Sequence, residues 1–299
     1  MMKHLPVLLN ESIEGLDIKP DGIYVDLTFG GGGHSREIIK RLENGRLIAF
    51  DVDEEAQKHL INDDRFVFHH ANYAFFKNFL MMEGIDLVDG VLADLGVSAF
   101  HLDDASRGFV FREDCRLDMR MNTNQDLDAE KLVNEYSPEQ LKIMFREYGD
   151  LPVAGKLAHS ICAQRKLKRI STSAELVEAI GKLIPKGSEN KFLARVFQSI
   201  RIEVNREKEG LMEMLTMAAG VIRPGGRLVV ISYHSVEDRI VKNFIRAGNF
   251  TGREDKDFFG NISRPFEEVN RKVIIPGENE LKINNRARSA KMRIAAKTK

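Results

Sequence analysis

Gly22-Ile23-Tyr24-Val25-Asp26-Leu27-Thr28-Phe29-Gly30-Gly31-Gly32-Gly33-His34-Ser35-Arg36-Glu37-Ile38-Ile39-Lys40-Arg41-Leu42 is the stretch that decides the fold of this 299-residue chain. Ile23 to Leu27 is a short apolar run with β-branched residues, and the glycines follow almost at once. That pattern predicts a strand ending in a turn. Beyond the glycines, Ile38, Ile39 and Leu42 fall on one face of a helix. Glycines let the backbone approach a ligand that a Cβ would obstruct, and the N–H groups that open a helix favour an anion.

Two ligand classes use a strand, a glycine turn and a helix in this order. The dinucleotide fingerprint needs glycines at the first, third and sixth places, and counting from Gly30 or Gly31 the sixth place is Ser35 or Arg36. The fingerprint therefore fails. An acid followed by spaced glycines, Asp26-Leu27-Thr28-Phe29-Gly30-Gly31-Gly32, suits the looser turn of S-adenosylmethionine (SAM) methyltransferases.

The neighbouring segments repeat the rhythm. Arg46 to Phe50 is a second strand ending in Asp51-Val52-Asp53, Arg65 to His70 a third closed by Ala71-Asn72-Tyr73, and Gly90 to Asp94 a fourth. An acid at the end of the second strand, about 20 residues past the glycines, is where an adenosine ribose is held in doubly wound folds, so Asp51 is the candidate. Tyr73 is placed to pack on the adenine. His69 and His70 point to opposite faces of a strand and do not share a metal. Strands separated by helices imply a parallel sheet with right-handed crossovers, with ligands at the strand C-terminal ends, where Gly32, Asp51, Tyr73 and Asp94 fall.

From Asp103 to Ser199 the strand signal stops. Helical patterns run from Asp128 to Tyr136, Ser137 to Tyr148, Val153 to Leu167 and Thr172 to Leu183, and Ser137-Pro138-Glu139-Gln140 reads as a capping box. A long helix from Lys191 to Ala219 leads back to a fifth strand, Arg227 to Ser232, then Tyr233-His234-Ser235 and a helix from Val236 to Ala247. Phe258 to Phe266 reads as a loop, with the last strands at Lys272 to Ile275 and Ala290 to Ala296. The expected fold is α/β: a Rossmann-like class I SAM-dependent methyltransferase sheet, residues 1–102 and 200–299, with an inserted all-helical substrate-recognition domain, residues 103–199.

Composition narrows the setting. The longest N-terminal apolar run, Leu5 to Leu9, is broken by Pro6, so no signal peptide or membrane span is expected and the protein is placed in the cytoplasm, away from membranes. Cys115 and Cys162 lack metal-ligand spacing, so neither a zinc site nor a disulfide framework is expected. The net charge of zero conceals a partition: Lys156 to Arg206 carries +7 and Asn261 to Lys299 carries +6, leaving −13 on the rest. Basic charge concentrated in this way is suited to a phosphate backbone, and Arg165-Lys166-Leu167-Lys168-Arg169 is its densest cluster.

His4-Leu5-Pro6-Val7-Leu8, the Asp26 to Ser35 turn, Asp94-Leu95-Gly96-Val97-Ser98, Arg107-Gly108-Phe109, Leu117-Asp118-Met119-Arg120-Met121, Ile231 to Arg239 and Asn285 to Lys291 jointly carry a resemblance over nearly the whole chain. The chain resembles the MraW family of SAM-dependent methyltransferases, which modify N4 of a cytidine in the decoding region of 16S ribosomal RNA. That resemblance implies that Gly32, Gly33 and His34 hold the methionine end of the cofactor and Asp51 its ribose, with Tyr73, Asp94 and His101 around it. Tyr73 and His101 stand where the family often has Phe and Gln, and Cys115-Arg116 replaces its usual Gly-Pro.

On this reading Asp94, or the carbonyl of Leu95, accepts the amino hydrogen of cytosine. His234 orients the base, no metal takes part, and the basic insert with Arg286, Arg288 and Arg293 grips RNA of the small ribosomal subunit. Leu117 to Arg120 divides between loop architecture and RNA contact. The sequence leaves the oligomeric state open, a homodimer included. A noncatalytic RNA-binding ribosome-assembly factor and a NAD-dependent oxidoreductase are the competing readings.

Overall fold

The computed structural model describes residues 5–96, 107–260 and 262–299. The chain forms two compact units, Met1–Gly96 with Glu209–Lys299, and Val97–Lys208.

The first unit is built on a seven-stranded sheet in the order β3-β2-β1-β4-β5-β7-β6. Its strands are β1 Ile23–Asp26, β2 Arg46–Asp51, β3 Phe66–His70, β4 Val88–Asp94, β5 Ile222–Ser232, β6 Phe266–Glu268 and β7 Lys291–Lys297. The first five run parallel, and β7 lies antiparallel to both β5 and β6. The strand order therefore reverses between β1 and β4, and a sheet of this kind binds its ligand in the crevice beyond the strand ends at that point. Asp26 and Asp94 end those two strands.

Successive strand residues feed opposite faces, as a pleated strand requires. Val25, Ile48, Val91, Leu228 and Val230 enter one core with Phe76, Leu215 and Phe244, whereas Tyr24, Leu47, Leu92, Val229 and Ile231 enter the other with Ile13, Ile38 and Met292. A sheet buried on both faces explains why its strands read as continuous apolar runs.

Helices α1 Leu9–Leu16, α2 Gly33–Ile39 and α3 Phe76–Met82 precede the second unit. The short α1 was not anticipated, because Pro6 and Asn10 break its apolar pattern; it buries Ser12, Ile13 and Leu16. Between β2 and β3 the chain forms a 3-10 segment, Glu54–His59, capped by Asp53. The sixth strand is also displaced from its expected position. Phe266 is fully buried against Phe244 and starts β6, while the Lys272 to Ile275 segment makes only an isolated bridge from Ile274 to Met292.

The second unit contains α4 Ala129–Glu135, α5 Pro138–Glu147, α6 Ala154–Leu167, α7 Ser173–Ile180 and α8 Glu189–Asn205, around their own apolar core. Both Ser137–Gln140 and Thr172–Glu175 form capping boxes. The long helix expected from Lys191 to Ala219 is two helices, α8 and α9 Glu207–Val221, separated by Arg206 at φ 50°. The break is fixed by Asn205, whose side chain donates to the carbonyl of Met119 at 2.8 Å and accepts from the N–H of Met121 at 2.7 Å. The remaining helices, α10 Ser235–Ala247 and α11 Glu278–Ile283, belong to the first unit.

Candidate active site

The glycine turn follows β1 directly. Gly30 and Gly32 adopt φ 51° and 73°. At Gly32 a side chain would also lie 2.7 Å from the Arg36 guanidinium and 2.8 Å from the Phe29 ring, so glycine is needed there twice over. Among the described residues a Cβ on Gly31 would meet nothing within 4 Å, so the space above the turn is open. Gly33 and His34 instead pack on the N-terminal segment. A Cβ on Gly33 would come within 2.8 Å of the Pro6 ring, and His34 Nε2 donates to the Val7 carbonyl at 3.0 Å. The His34 ring thus ties the turn to Pro6 and Val7, which explains why those residues accompany the glycine motif.

Three carboxylates gather around the turn. Asp26, 1% exposed, accepts from Ser35 Oγ at 2.6 Å and from the Thr28 N–H at 3.1 Å, and burial raises its pKa. Asp51, at the end of β2, accepts from the Gly30 N–H at 2.6 Å and the Asp53 N–H at 2.9 Å. Burial pushes it up to about 6 against those two bonds. Asp94, at the end of β4, is likewise pushed up to about 6 by burial, with His34 and the Tyr233 hydroxyl opposing the rise and Asp26 and Glu237 adding to it. No lysine or arginine side chain pairs with any of the three among the described residues. A ligand bringing positive charge to this edge relieves a cost that the fold leaves in place.

Tyr73 opens the 3-10 segment Tyr73–Phe75 after β3 and packs on the sheet core. A Cβ on Gly210 would lie 3.6 Å from its hydroxyl, so the ring lies along the side of α9. His234 is the N-cap of α10. Its Nδ1 accepts from the Glu237 N–H at 3.4 Å, and Glu237 in return accepts from the Tyr233 N–H at 2.9 Å and the His234 N–H at 3.3 Å. The ring of His234 therefore caps α10, a role that no sequence pattern signals. His101 lies outside the described residues.

Tyr233 was not singled out from the sequence, although it lies beside the expected acid. Its hydroxyl donates to Asp94 Oδ1 at 2.8 Å, and its ring faces Gly96, where an added Cβ would come within 3.1 Å. The parallel pairing of Asp94 with Ile231 could have revealed this, because it brings the residues after β5 beside the end of β4.

The expected RNA-facing cations divide. Arg165 donates to the carbonyls of Val133 and Tyr136, Lys168 pairs with Glu175, Arg169 pairs with Glu130, and Arg293 pairs with Asp238 at 2.7 Å. Arg165 and Arg293 are therefore held within the fold. Asp118 and Arg120 pair with each other at 2.7 Å, and Arg120 also donates to the carbonyls of Thr123 and Gln125, so these two residues serve the architecture of their loop. Lys166, Lys182, Lys186 and Lys191 are exposed. Both cysteines are free thiols, and no helix among the described residues is long and apolar enough to cross a membrane.

Residues 1–298 match the MraW methylase family. The chain belongs to that family. It is 53% identical over 298 residues, 99% of this chain and 98% of the relative, to a ribosomal RNA small subunit methyltransferase H of Christiangramia forsetii. Proteins of the same name from Parabacteroides distasonis and Bacteroides thetaiotaomicron are 54% and 52% identical, each across 98% of this chain and 97% of its own length. Membership among methylases, with the failed dinucleotide fingerprint, removes the nicotinamide reading. The chain is a SAM-dependent methyltransferase of the MraW family, and three carboxylates beside the glycine turn with no lysine or arginine partner among the described residues fit a cationic cofactor.

Proposed function

We propose that this protein methylates N4 of a cytidine in the decoding region of 16S ribosomal RNA, acting on the small ribosomal subunit in the cytoplasm. The observation that carries the reading is the position of Asp94, at the strand-order reversal beside the glycine turn, with one carboxylate oxygen held by Tyr233. The family and the names of the relatives support the RNA substrate class.

SAM supplies an electrophilic methyl group on a positively charged sulfur. Gly32 shapes the turn that receives its methionine end, with Gly33 and His34 fixing that turn to the N-terminal segment. Asp51 accepts from the ribose hydroxyls, and Tyr73 packs on the adenine. The lone pair of cytosine N4 is delocalised into the ring, and an acceptor for an amino hydrogen makes the nitrogen more nucleophilic. Asp94 is that acceptor. With its pKa near 6 it is ionised at neutral pH and would take the proton that N4 sheds on methylation, while the sulfonium would supply the methyl group and keep the electron pair of the broken S–C bond as the neutral thioether. His234, locked by its capping box, orients the base. The cytidine must be unstacked or single-stranded to reach this edge. The exposed lysines of the helical unit and Arg286 and Arg288 hold phosphates.

The test is methyl transfer from tritiated SAM to small subunits lacking the modification, with wild-type and Asp94→Ala protein. Wild-type protein labels the RNA, and D94A loses at least about a hundredfold in kcat. Wild-type kcat in D94A, with only cofactor affinity reduced, removes the catalytic role of Asp94. Tight RNA binding with no label on particle or free RNA selects the noncatalytic assembly factor.

A further inference from the structure

Tyr233 is a half-buried phenol whose hydroxyl is spent on a carboxylate at the catalytic edge. A buried tyrosine hydroxyl ordinarily finds a backbone carbonyl or water. This one donates to Asp94 Oδ1 at 2.8 Å, while the Asp94 N–H donates to Thr28 Oγ1 at 2.7 Å. Both the backbone and one carboxylate oxygen of Asp94 are thereby fixed. The ring itself is clamped: Gly96, at φ 108°, leaves room for it on one side, and its own N–H donates to Glu237 at the capped start of α10.

We propose that Tyr233 is a positioning residue for methyl transfer, holding Asp94 Oδ1 so that Oδ2 alone is presented to the amino group of the target base. This inference rests on Asp94 being the acceptor. A carboxylate free to rotate would offer either oxygen in many orientations, and an in-line displacement penalises misplaced groups steeply. The donated hydrogen bond also favours the ionised form of Asp94. The groups facing that carboxylate are His34 from α2, Asp26 from β1, Glu237 from α10 and Tyr233 itself, and only His34 and Tyr233 favour ionisation. Removing the hydroxyl therefore shifts the balance toward the protonated acid. The same proximity pushes the Tyr233 phenol up, through burial first and the Asp94 charge second, so it remains a donor across the working pH range.

The experiment compares wild type, Tyr233→Phe and Asp94→Asn in single-turnover methyl transfer from pH 5 to 9, with SAM affinity measured by calorimetry. Y233F keeps the ring and its contact with Gly96. The expected results are a fall of about ten- to a hundredfold in the rate at saturating SAM, a SAM Kd within about threefold of wild type, and an acid limb displaced upward by about one pH unit. A lower rate with an unmoved acid limb means that Tyr233 serves only the fold and overturns the inference, as does a wild-type rate and profile. If D94N is as impaired as expected while Y233F behaves as wild type, only the positioning role falls. If D94N itself turns over at the wild-type rate, the acceptor reading falls and takes the positioning role with it.

Discussion

The strand-end acids of the first unit and the basic segments of the second are both rich in charge, but the fold treats them in opposite ways. Asp26, Asp51 and Asp94 are drawn toward the interior and receive hydrogen bonds but no lysine or arginine among the described residues, and burial raises all three pKa values. The cluster from Arg165 to Arg169 is largely neutralised: Arg165 satisfies the carbonyls that end α4, and Lys168 and Arg169 each have a carboxylate. Charge that the fold leaves uncompensated marks where a ligand of opposite sign is expected. Charge that the fold pairs describes its own architecture.

The largest effect that would break this contrast is at Asp51. Asp51→Asn keeps the shape and can still accept from Gly30, but removes the charge proposed to hold the ribose of the cationic cofactor. SAM affinity should fall about tenfold or more at pH 7.5, measured by calorimetry. An unchanged Kd would mean that the acid serves only the turn.

The pH dependence of stability sharpens the same side. The folded-state pKa of Asp51 and Asp94 lies above the ordinary carboxylate value, near 6 for each. Such groups favour the folded state fully below the unfolded pKa, and that contribution is lost as pH rises through about 6. D51N should therefore melt higher than wild type at pH 8, by the equivalent of about 1–2 kcal/mol, with the difference vanishing near pH 4. SAM should also bind more tightly as pH rises through 6, and more so than its uncharged-sulfur product, S-adenosylhomocysteine. Parallel pH profiles for the two ligands would remove the sulfonium from the account.

On the basic side, Arg165→Ala should cost about 1–2 kcal/mol of stability, because two carbonyls lose a charged donor, while leaving RNA affinity within about twofold. The combined variant Lys166→Ala, Lys182→Ala, Lys186→Ala should do the reverse: an unchanged melting temperature, weaker RNA binding, and a salt slope reduced by about one to three. Equal effects of the two variants on RNA binding would erase the distinction between paired and unpaired cations.

The smallest effect is expected at Lys168. Its ion pair with Glu175 is exposed on the lysine side, and Lys168→Ala should leave the melting temperature essentially unchanged, because solvent screens such a pair.

Much of the fold was legible because the parallel strands are apolar runs followed by glycine or acid, so Ile23–Asp26, Arg46–Asp51 and Val88–Asp94 stood where the sequence placed them. The errors came where tertiary contacts outweigh local pattern. Phe266 starts a strand because it fills a hole beside Phe244, and α8 ends because Asn205 clamps a loop more than eighty residues away in sequence. Asp51 and Asp94 were picked out as candidates from their places at strand ends, and the structure places both there beside the glycine turn. Tyr233 was missed because it follows β5, a strand that joins β4 and its Asp94 in the sheet only after the helical unit. The capping role of His234 was not legible because no sequence rule lists histidine as a helix cap.

The measurement that tests the account most directly is nucleoside analysis of small-subunit RNA labelled by this protein from tritiated SAM. The account predicts that the label elutes as N4-methylcytidine, from a single site in the decoding region. Label in 5-methylcytidine or in the ribose would contradict it, because no hydrogen-bond acceptor for an exocyclic amine would then be needed at Asp94, and label in another base would contradict the assignment of cytidine as the substrate.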